Sequence, residues 1–527
     1  MNKFVTTIKL EKMVKILWVD DEIEMLKPHI IYLQSKGYNL DTINNGNDAL
    51  ELIRENDYDL VFLDENMPGL SGIEVLTEIK KLNAVLPVIM ITKSEEESIM
   101  EEAIGSNIAD YLIKPVNPNQ ILLAIKKNMD ARQIISDKNT HNYQMEFRQI
   151  GMDISARLDH KEWVNIYRKL TDWEMKLEKS QDHGILEIFQ MQKEEANVVF
   201  ADFVASNYID WLHGAKDRPI QSQMAFKELV APKIAAHNST FLFVIDNLRF
   251  DQWKSIFPAI SEFFRIEEES IYYSILPTTT QYARNAFFAG LMPSEIEKKY
   301  PQYWVQEHEE GTKNQFEKEL LQTQLKRLGK DFSMSYNKIL TLAQGKKMVE
   351  NMHTLLNNKL NVIVYNFVDM LSHARTEMDV IKELASDEKA YRSLTLSWFH
   401  NSPLFEMMKF VAEKKGQIII TTDHGSVRVK KPVKVIGDRN TNSNLRYKFG
   451  KNLDYKAKEV FEVRNPEDVF LPKLSISTSY IFAKESDFFV YANNFNQYNN
   501  IYRDTFQHGG ISMEEVLIPL VVLNPKI

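Results

Sequence analysis

Between about residues 14 and 130, short apolar runs alternate with amphipathic stretches. VKILWVD (Val14–Asp20), DLVFLDEN (Asp59–Asn66), PVIMITK (Pro87–Lys93) and ADYLIKP (Ala109–Pro115) have the length and apolar content of buried strands. Between them, NDALELIREN and GIEVLTEIKKL space their apolar residues three and four apart, as on one face of a helix. This alternation predicts a parallel sheet covered on both faces. From about 118 to 235 the strand signal lapses. EWVNIYRKLTDWEMKLEKS and GILEIFQMQKEEANVVFADFVASNYIDWL carry recurrent apolar positions in charged surroundings, with few Gly or Pro, and predict a helical bundle. Such a bundle would serve as spacer, dimerisation element or both, a connecting domain without chemistry of its own. Beyond about 236 the strand and helix alternation returns, with STFLFVIDN (Ser239–Asn247), NVIVYNFVD (Asn361–Asp369) and GQIIITTDHG (Gly416–Gly425) each reaching an Asp at or near its end. The division is therefore a tail at 1–13, an α/β domain at 14–132, a helical linker or bundle at 133–235 and a large α/β domain at 236–527.

Composition narrows the chemistry. A chain of 527 residues is too long for one hydrophobic core, and 44% hydrophobic with 26% charged residues are globular values. There is no apolar run of membrane-spanning length and no signal core at the N-terminus, which predicts a soluble, unexported protein without membrane insertion. The chain has no cysteine, so any metal must be held by Asp, Glu, His or hydroxyl oxygen, and the twelve histidines become candidates. A net charge of −9 argues against indiscriminate coating of nucleic acid.

Two constellations of residues meet that requirement. In the first domain, Asp20, Asp21 and Asp64 stand at strand ends, which in a parallel sheet meet at one edge. They would repel one another unless a hard cation such as Mg²⁺ neutralised them. Thr92 and Lys114 reach the same edge and complete a set suited to phosphoryl transfer onto a carboxylate. These residues, with LDENMPGLSG and Lys114-Pro115, resemble a response-regulator receiver domain of flavodoxin-like (βα)5 fold. The resemblance implies Asp64 as phosphoacceptor and Thr92 and Tyr111 as switch residues. It also implies Mg²⁺ held by Asp20, Asp21, Asp64 and the carbonyl of Asn66, and a Lys-Pro peptide that is usually cis.

In the C-terminal domain the candidates are Asp246, Asp369 with His373, Asp423 with His424, and His508 before Gly509-Gly510. Three acids and three histidines suffice for two Zn²⁺ sites built on N and O ligands. LPTTTQYARNAFFAGLMP (Leu276–Pro293) supplies three threonines on a turn, and a metal-bound hydroxyl is a nucleophile at neutral pH. The order resembles the alkaline phosphatase superfamily, specifically its PglZ branch. Carried over, Asp246, Thr280, Asp423 and His424 would hold one Zn²⁺, and Asp369, His373 and His508 the other. Thr280 is the implied nucleophile by similarity to the Pro-Thr-x-Thr turn of nucleotide pyrophosphatase/phosphodiesterases, with Thr278 and Thr279 as alternatives. The asparagine that follows there is replaced by Ala283, and Arg284 is a candidate for binding phosphate instead. Residues 428–451 hold eight Lys or Arg against one acid, with Tyr447 and Phe449 among them. As a basic loop, with Arg428, Lys430 and Lys431 leading it, this stretch would grip a phosphodiester backbone.

A receiver joined through helices to a PglZ-type domain is similar to the PorX-like response regulators. That resemblance implies a cytoplasmic protein phosphorylated by a sensor histidine kinase, dimerising on phosphorylation and linked to type IX secretion. Its output would be zinc-dependent hydrolysis of a phosphodiester or phosphomonoester, with cyclic or other small oligonucleotides as substrate. The alternative is a non-catalytic output, in which the zinc site is structural and the phosphorylated dimer binds a transcription factor, DNA or a secretion component.

Overall fold

The computed structural model describes residues 14–83, 86–93, 108–178, 183–236, 239–307, 309, 311–371, 387–438, 441–491, 493 and 495–526. The chain divides into two compact units at His141/Asn142. Among the described residues, no helix is long and apolar enough to cross a membrane.

In the first unit, β1 (Lys15–Val19), β2 (Asn39–Ile43), β3 (Leu60–Asp64), β4 (Val88–Thr92) and β5 (Asp110–Ile113) form one parallel sheet in the order β2-β1-β3-β4-β5. Alternation along the strands feeds two cores. Leu17, Val19, Val61 and Leu63 pack toward helices Gly46–Glu55 and Gly72–Leu82, whereas Ile16, Trp18, Leu60 and Phe62 pack with Leu33, Ile121 and Ile125. The edge strand β2 escaped the sequence reading because only Leu40 of NLDTI is buried. Helix Gly72–Leu82 begins with a capping box, in which Ser71 accepts from Glu74 N–H and the Glu74 side chain accepts from Ser71 N–H.

The second unit is built on a six-stranded sheet. Its strands are β6 (Thr240–Ile245), β7 (Phe264–Tyr273), β8 (Met334–Ile339), β9 (Leu360–Tyr365), β10 (Gln417–Thr421) and the last strand of the chain, β18 (Leu517–Pro525). In the order β7-β18-β10-β6-β9-β8, the four strands from β10 to β8 are parallel, while β18 runs antiparallel to both its neighbours. Because β10, β6 and β9 are adjacent and parallel, the segments that follow them leave the sheet side by side. Between β10 and β18 lies a set of small sheets. β11 (Val427–Arg428) pairs with β17 (Phe506–Gln507), and β12 (Lys431–Val435) with β16 (Asp487–Tyr491). β13 (Tyr447–Gly450) and β14 (Val460–Val463) flank β15 (Ser479–Ala483).

Helices Pro118–Ser155, His160–Leu177 and His183–Leu212 fill the middle segment, as its periodicity predicts. From Asn142 on, these helices do not stand apart as a spacer. Trp163, Tyr167, Phe200, Tyr208 and Trp211 belong to the same hydrophobic core as the six-stranded sheet. Ring contacts join Tyr167 to Phe250 at 5.9 Å and Trp211 to Tyr273 at 5.6 Å. Helical periodicity reveals that a face is apolar but not what covers it, and here the cover is the C-terminal domain.

A buried ion network fastens the same joint. Lys193 Nζ lies 2.8 Å from Glu174 and 3.1 Å from Glu514, and Arg392 lies 2.6 Å from Asp251 and also pairs with Glu178. Replacing Lys193 with Met would leave Glu514 buried without its cation and Glu174 with only Arg392, at 3.6 Å. A loss of about 3–5 kcal/mol is expected, read as an earlier urea or thermal melt of the full chain. An unchanged melt would show that the network contributes nothing to stability.

Candidate functional site

The carboxyl edge of the first sheet gathers acids around one lysine. Lys114 Nζ lies 2.9 Å from Asp20 Oδ2 and 2.9 Å from Asp64 Oδ1. Asp20, Asp21 and Asp64 each offer an oxygen within 4.8 Å of the others; Asp20 and Asp64 are buried and Asp21 is exposed. Burial pushes Asp64 up to about 6; Lys114 pulls it back and Asp20 adds to the rise. Three carboxylates against one ammonium fit a hard divalent cation held by oxygen. Gly72 keeps the loop after Asp64 close, since a Cβ there would come within 2.3 Å of the Asp64 carbonyl. Asn66 is exposed in that loop, Tyr111 is half-buried on β5, and Lys114–Pro115 is cis. Thr92 ends β4 and donates its hydroxyl to the Glu65 carboxylate. Glu65 is a residue that the sequence reading passed over. It stands beside Asp64, but that neighbourhood alone does not reveal that its side chain reaches Thr92.

The second constellation forms where β6, β9 and β10 end. Asp246 follows β6 directly, and Asp423 and His424 follow β10. Asp369 stands four residues past β9, on a helical turn rather than at the strand end. Asp246, Asp423 and His424 are buried and bring their ligand atoms within 4.8 Å of one another. His508 Nε2 is 3.5 Å from Asp369 Oδ1, and the His424 and His508 rings stack at 4.2 Å. His373 lies outside the described residues.

Both imidazoles are oriented by backbone carbonyls. His424 Nδ1 donates to the Gly425 carbonyl at 3.1 Å, and His508 Nδ1 to that of Thr278 at 3.2 Å. Nε2 of each ring is thereby left as the atom facing the acids. Burial, reinforced by His508, lowers His424 to about 3, so its imidazole is neutral. For His508 burial works in the same sense, but the hydrogen bond and charge of Asp369 outweigh it and raise the group. Burial also raises Asp246 and Asp423, with Arg284 pulling against it. Asp246 Oδ2 and Asp423 Oδ2 are buried and face Arg284 Nη1, at 2.9 and 3.6 Å, as ion pairs rather than aligned hydrogen bonds. Acidic oxygens and neutral imidazole in one buried cluster fit a zinc ion.

The three threonines separate by environment. Thr278 is wholly buried, accepts from Gly509 N–H at 2.9 Å and donates to the Gly510 carbonyl at 3.0 Å. The hydroxyl of Thr279 is buried without a hydrogen-bond partner. Thr280 Oγ1 lies 3.2 Å from Asp246 Oδ1 and 3.1 Å from His424 Nε2, inside the cluster.

Two expectations are corrected. Arg284 is fully buried, with its guanidinium 2.9 Å from Asp246 and 2.6 Å from Glu317, so it is committed to carboxylates rather than free to grip a phosphate. The stretch 428–451 is likewise not a free basic loop. Arg428 pairs with Asp504 at 3.0 Å, Lys430 with Glu194, and Lys431 with Asp487 at 3.1 Å. Arg446 is buried against Glu515 at 2.6 Å, and Tyr447, Lys448 and Phe449 are buried in β13. Four of its eight Lys and Arg are met by acids distant in sequence, which a local count of Lys and Arg cannot register.

Comparison with known proteins assigns three segments of the chain. Residues 16–126 match the response regulator receiver domain, 133–212 the PorX response regulator linker domain, and 225–523 the BREX system PglZ alkaline phosphatase-like domain. Among curated proteins, the chain is 38% identical over 112 residues to the transcriptional regulatory protein ResD of Bacillus subtilis, covering 21% of this chain and 46% of ResD. It is 30% identical over 145 residues to the transcriptional regulatory protein SrrA of Staphylococcus aureus, covering 27% of this chain and 60% of SrrA. The chain thus spans about half the length of the curated relatives it matches. Among solved structures it is similar to a CheY-like receiver domain protein from Methanospirillum hungatei, with 27% identity, TM-score 0.22, and coverage of 23% of this chain and 96% of that one. It is also similar to the response regulator TrrA from Thermotoga maritima in complex with Mg²⁺-BeF, with 34% identity, TM-score 0.21, and coverage of 22% and 99%. With more than half of its length matched by the PglZ alkaline phosphatase-like family, the chain belongs to that family, and it carries the receiver, linker and PglZ architecture of the PorX-like response regulators.

Proposed function

We propose that this protein is a cytoplasmic response regulator, phosphorylated on Asp64 by a sensor histidine kinase, whose output domain is a zinc-dependent phosphodiesterase acting on cyclic or other small oligonucleotides. The single observation that carries the catalytic part is the position of the Thr280 hydroxyl, 3.2 Å from Asp246 and 3.1 Å from His424 in a buried cluster of metal-ligating groups.

On this reading Asp246, Thr280, Asp423 and His424 hold one zinc ion, and Asp369, His508 and His373 a second. Bound zinc supplies a lowered hydroxyl pKa and positive charge for the phosphoryl oxygens. The chain supplies the rest. The turn at Thr280 aims its oxygen at the phosphorus, and the hydroxyl proton points at Asp246 Oδ1. The Thr280 proton passes to Asp246 Oδ1 as the Thr280 oxygen bonds to phosphorus, and the bond to the leaving oxygen breaks with its electron pair, the alcohol taking up a proton from water. A water then hydrolyses the phosphothreonine and returns the hydroxyl. Burial of Asp246, Asp423 and His424 keeps bulk water from competing with Thr280. The test is zinc per chain together with turnover of bis(p-nitrophenyl) phosphate, the corresponding monoester and cyclic oligonucleotides. Stoichiometric zinc with no turnover on any of them overturns the catalytic reading.

In the receiver, Asp20, Asp21, Asp64 and the Asn66 carbonyl would hold Mg²⁺, with Lys114 on the phosphoryl group. Thr92 must leave the Glu65 carboxylate to reach a phosphoryl group on Asp64, and Tyr111 follows inward. Phosphorylation then drives dimerisation and, through it, regulation of type IX secretion. Beryllofluoride with Mg²⁺ is expected to convert wild type to a dimer in sedimentation velocity and to leave Asp64→Ala a monomer. An Asp64→Ala protein that still dimerises on addition of beryllofluoride removes this switch.

A further inference from the structure

Behind the ligand aspartates lies a second layer of charge. Arg284 sits on the same turn as Thr280, at the other end of Thr280–Arg284. Its Nη1 is 2.9 Å from Asp246 Oδ2 and 3.6 Å from Asp423 Oδ2, while its Nε is 2.6 Å from Glu317 Oε1. Glu317 is itself tied down on both oxygens. Asn314 Nδ2 donates to Oε1 at 2.6 Å, and Oε2 accepts from the Tyr336 hydroxyl and faces Lys338 Nζ at 3.3 Å. Arg284, Glu317, Asp246 and Asp423 are all at most 1% exposed.

Stability alone is a poor reason for such a set, because desolvating buried ions costs about as much as their attraction returns. Its geometry has a more specific consequence. On Asp246, Arg284 takes Oδ2, leaving Oδ1 to face Thr280 and His424. On Asp423, Oδ1 is occupied by the backbone N–H of His424 at 3.1 Å and of Asn247 at 3.4 Å, and Oδ2 lies between Arg284 and His424 Nε2. Each carboxylate is thus divided, with one oxygen held by the protein and the other turned toward the cluster. The guanidinium spans both acids, and a lysine at 284 could not reach the two aspartates and Glu317 together.

We propose that Arg284, aimed by Glu317, is a positioning residue of the zinc centre, fixing which oxygen of Asp246 is offered to metal and where the offered Oδ2 of Asp423 sits. Tyr336 and Lys338 fix Glu317 in turn, so strand β8 takes part in shaping the site although it contributes no ligand. This inference rests on the zinc reading above.

The test compares zinc affinity, by competition with a chromophoric chelator, and the visible spectrum of the cobalt-loaded full chain. The proteins are wild type, Asp246→Asn, Arg284→Gln, Glu317→Gln and Tyr336→Phe. Arg284→Gln and Glu317→Gln are expected to bind zinc about 10–100-fold more weakly and to alter the cobalt spectrum, while still filling at saturating metal. Tyr336→Phe removes one hydroxyl from Glu317 and keeps the ring, so it tests the chain of contacts even if the charge variants misfold; a smaller loss in the same direction is expected. Wild-type affinity and spectrum in Arg284→Gln and Glu317→Gln, or in Tyr336→Phe should those two fail to fold, overturn the proposal. Full zinc binding by Asp246→Asn overturns the metal reading itself, a separate failure.

Discussion

Asp246→Asn is expected to abolish hydrolysis of bis(p-nitrophenyl) phosphate, with kcat/KM falling by at least about 10³, or roughly 4 kcal/mol of transition-state stabilisation. The substitution keeps the shape of the side chain and removes one charge from a cluster where burial already works against ionised acids. Arg284 keeps Glu317 as a partner, so the fold should survive and the thermal melt of the metal-free protein should not fall. The losses should therefore be confined to metal and rate: zinc at the Asp246 site gone, turnover gone, structure retained. A variant that hydrolyses the diester at the wild-type rate would mean that the cluster around Asp246 is not where the chemistry occurs.

The second large effect concerns the threonine turn. Thr280→Ala should lower kcat by about 10³-fold or more, whereas Thr280→Ser keeps a hydroxyl at the same place and should remain active. Thr279→Ala should leave most of the rate. Thr278→Ala should act mainly through stability, at about 1–2 kcal/mol, because the Thr278 hydroxyl ties down Gly509 and Gly510 beside His508. If the proposed phosphothreonine forms, intact-mass measurement of acid-quenched wild type should detect it, and Thr280→Ala should not carry it. Loss of turnover in Thr279→Ala with retention in Thr280→Ala would move the nucleophile one residue back.

Much of this arrangement was legible in the chain before its structure, for a physical reason. Parallel strands place their carboxyl ends at one edge, so apolar runs leading into Asp20, Asp64, Asp246 and Asp423 already announce which carboxylates will meet. What stayed hidden depends on contacts across long separations. Glu317 meets Arg284 only because helix Glu317–Arg327 packs behind the threonine turn. The positive charge at Lys430 is met by Glu194 on a helix far earlier in the chain. Local composition described residues 428–451 correctly as basic but could not reveal that Arg446 and Lys448 are interior groups. Asp369 shows an intermediate case, since the apolar run leading to it continues past the strand, which ends at Tyr365, onto a helical turn.

The shared core of the middle helices and the C-terminal sheet bears on how this protein can be divided. A cut near residue 225, where the PglZ match begins, would strip Trp163, Phe200, Tyr208 and Trp211 from the sheet side and break Lys193 away from Glu514. A cut near Asn142 leaves all of those contacts whole. The unit that recombination or gene fusion could transplant intact is therefore helices and phosphatase-like domain together.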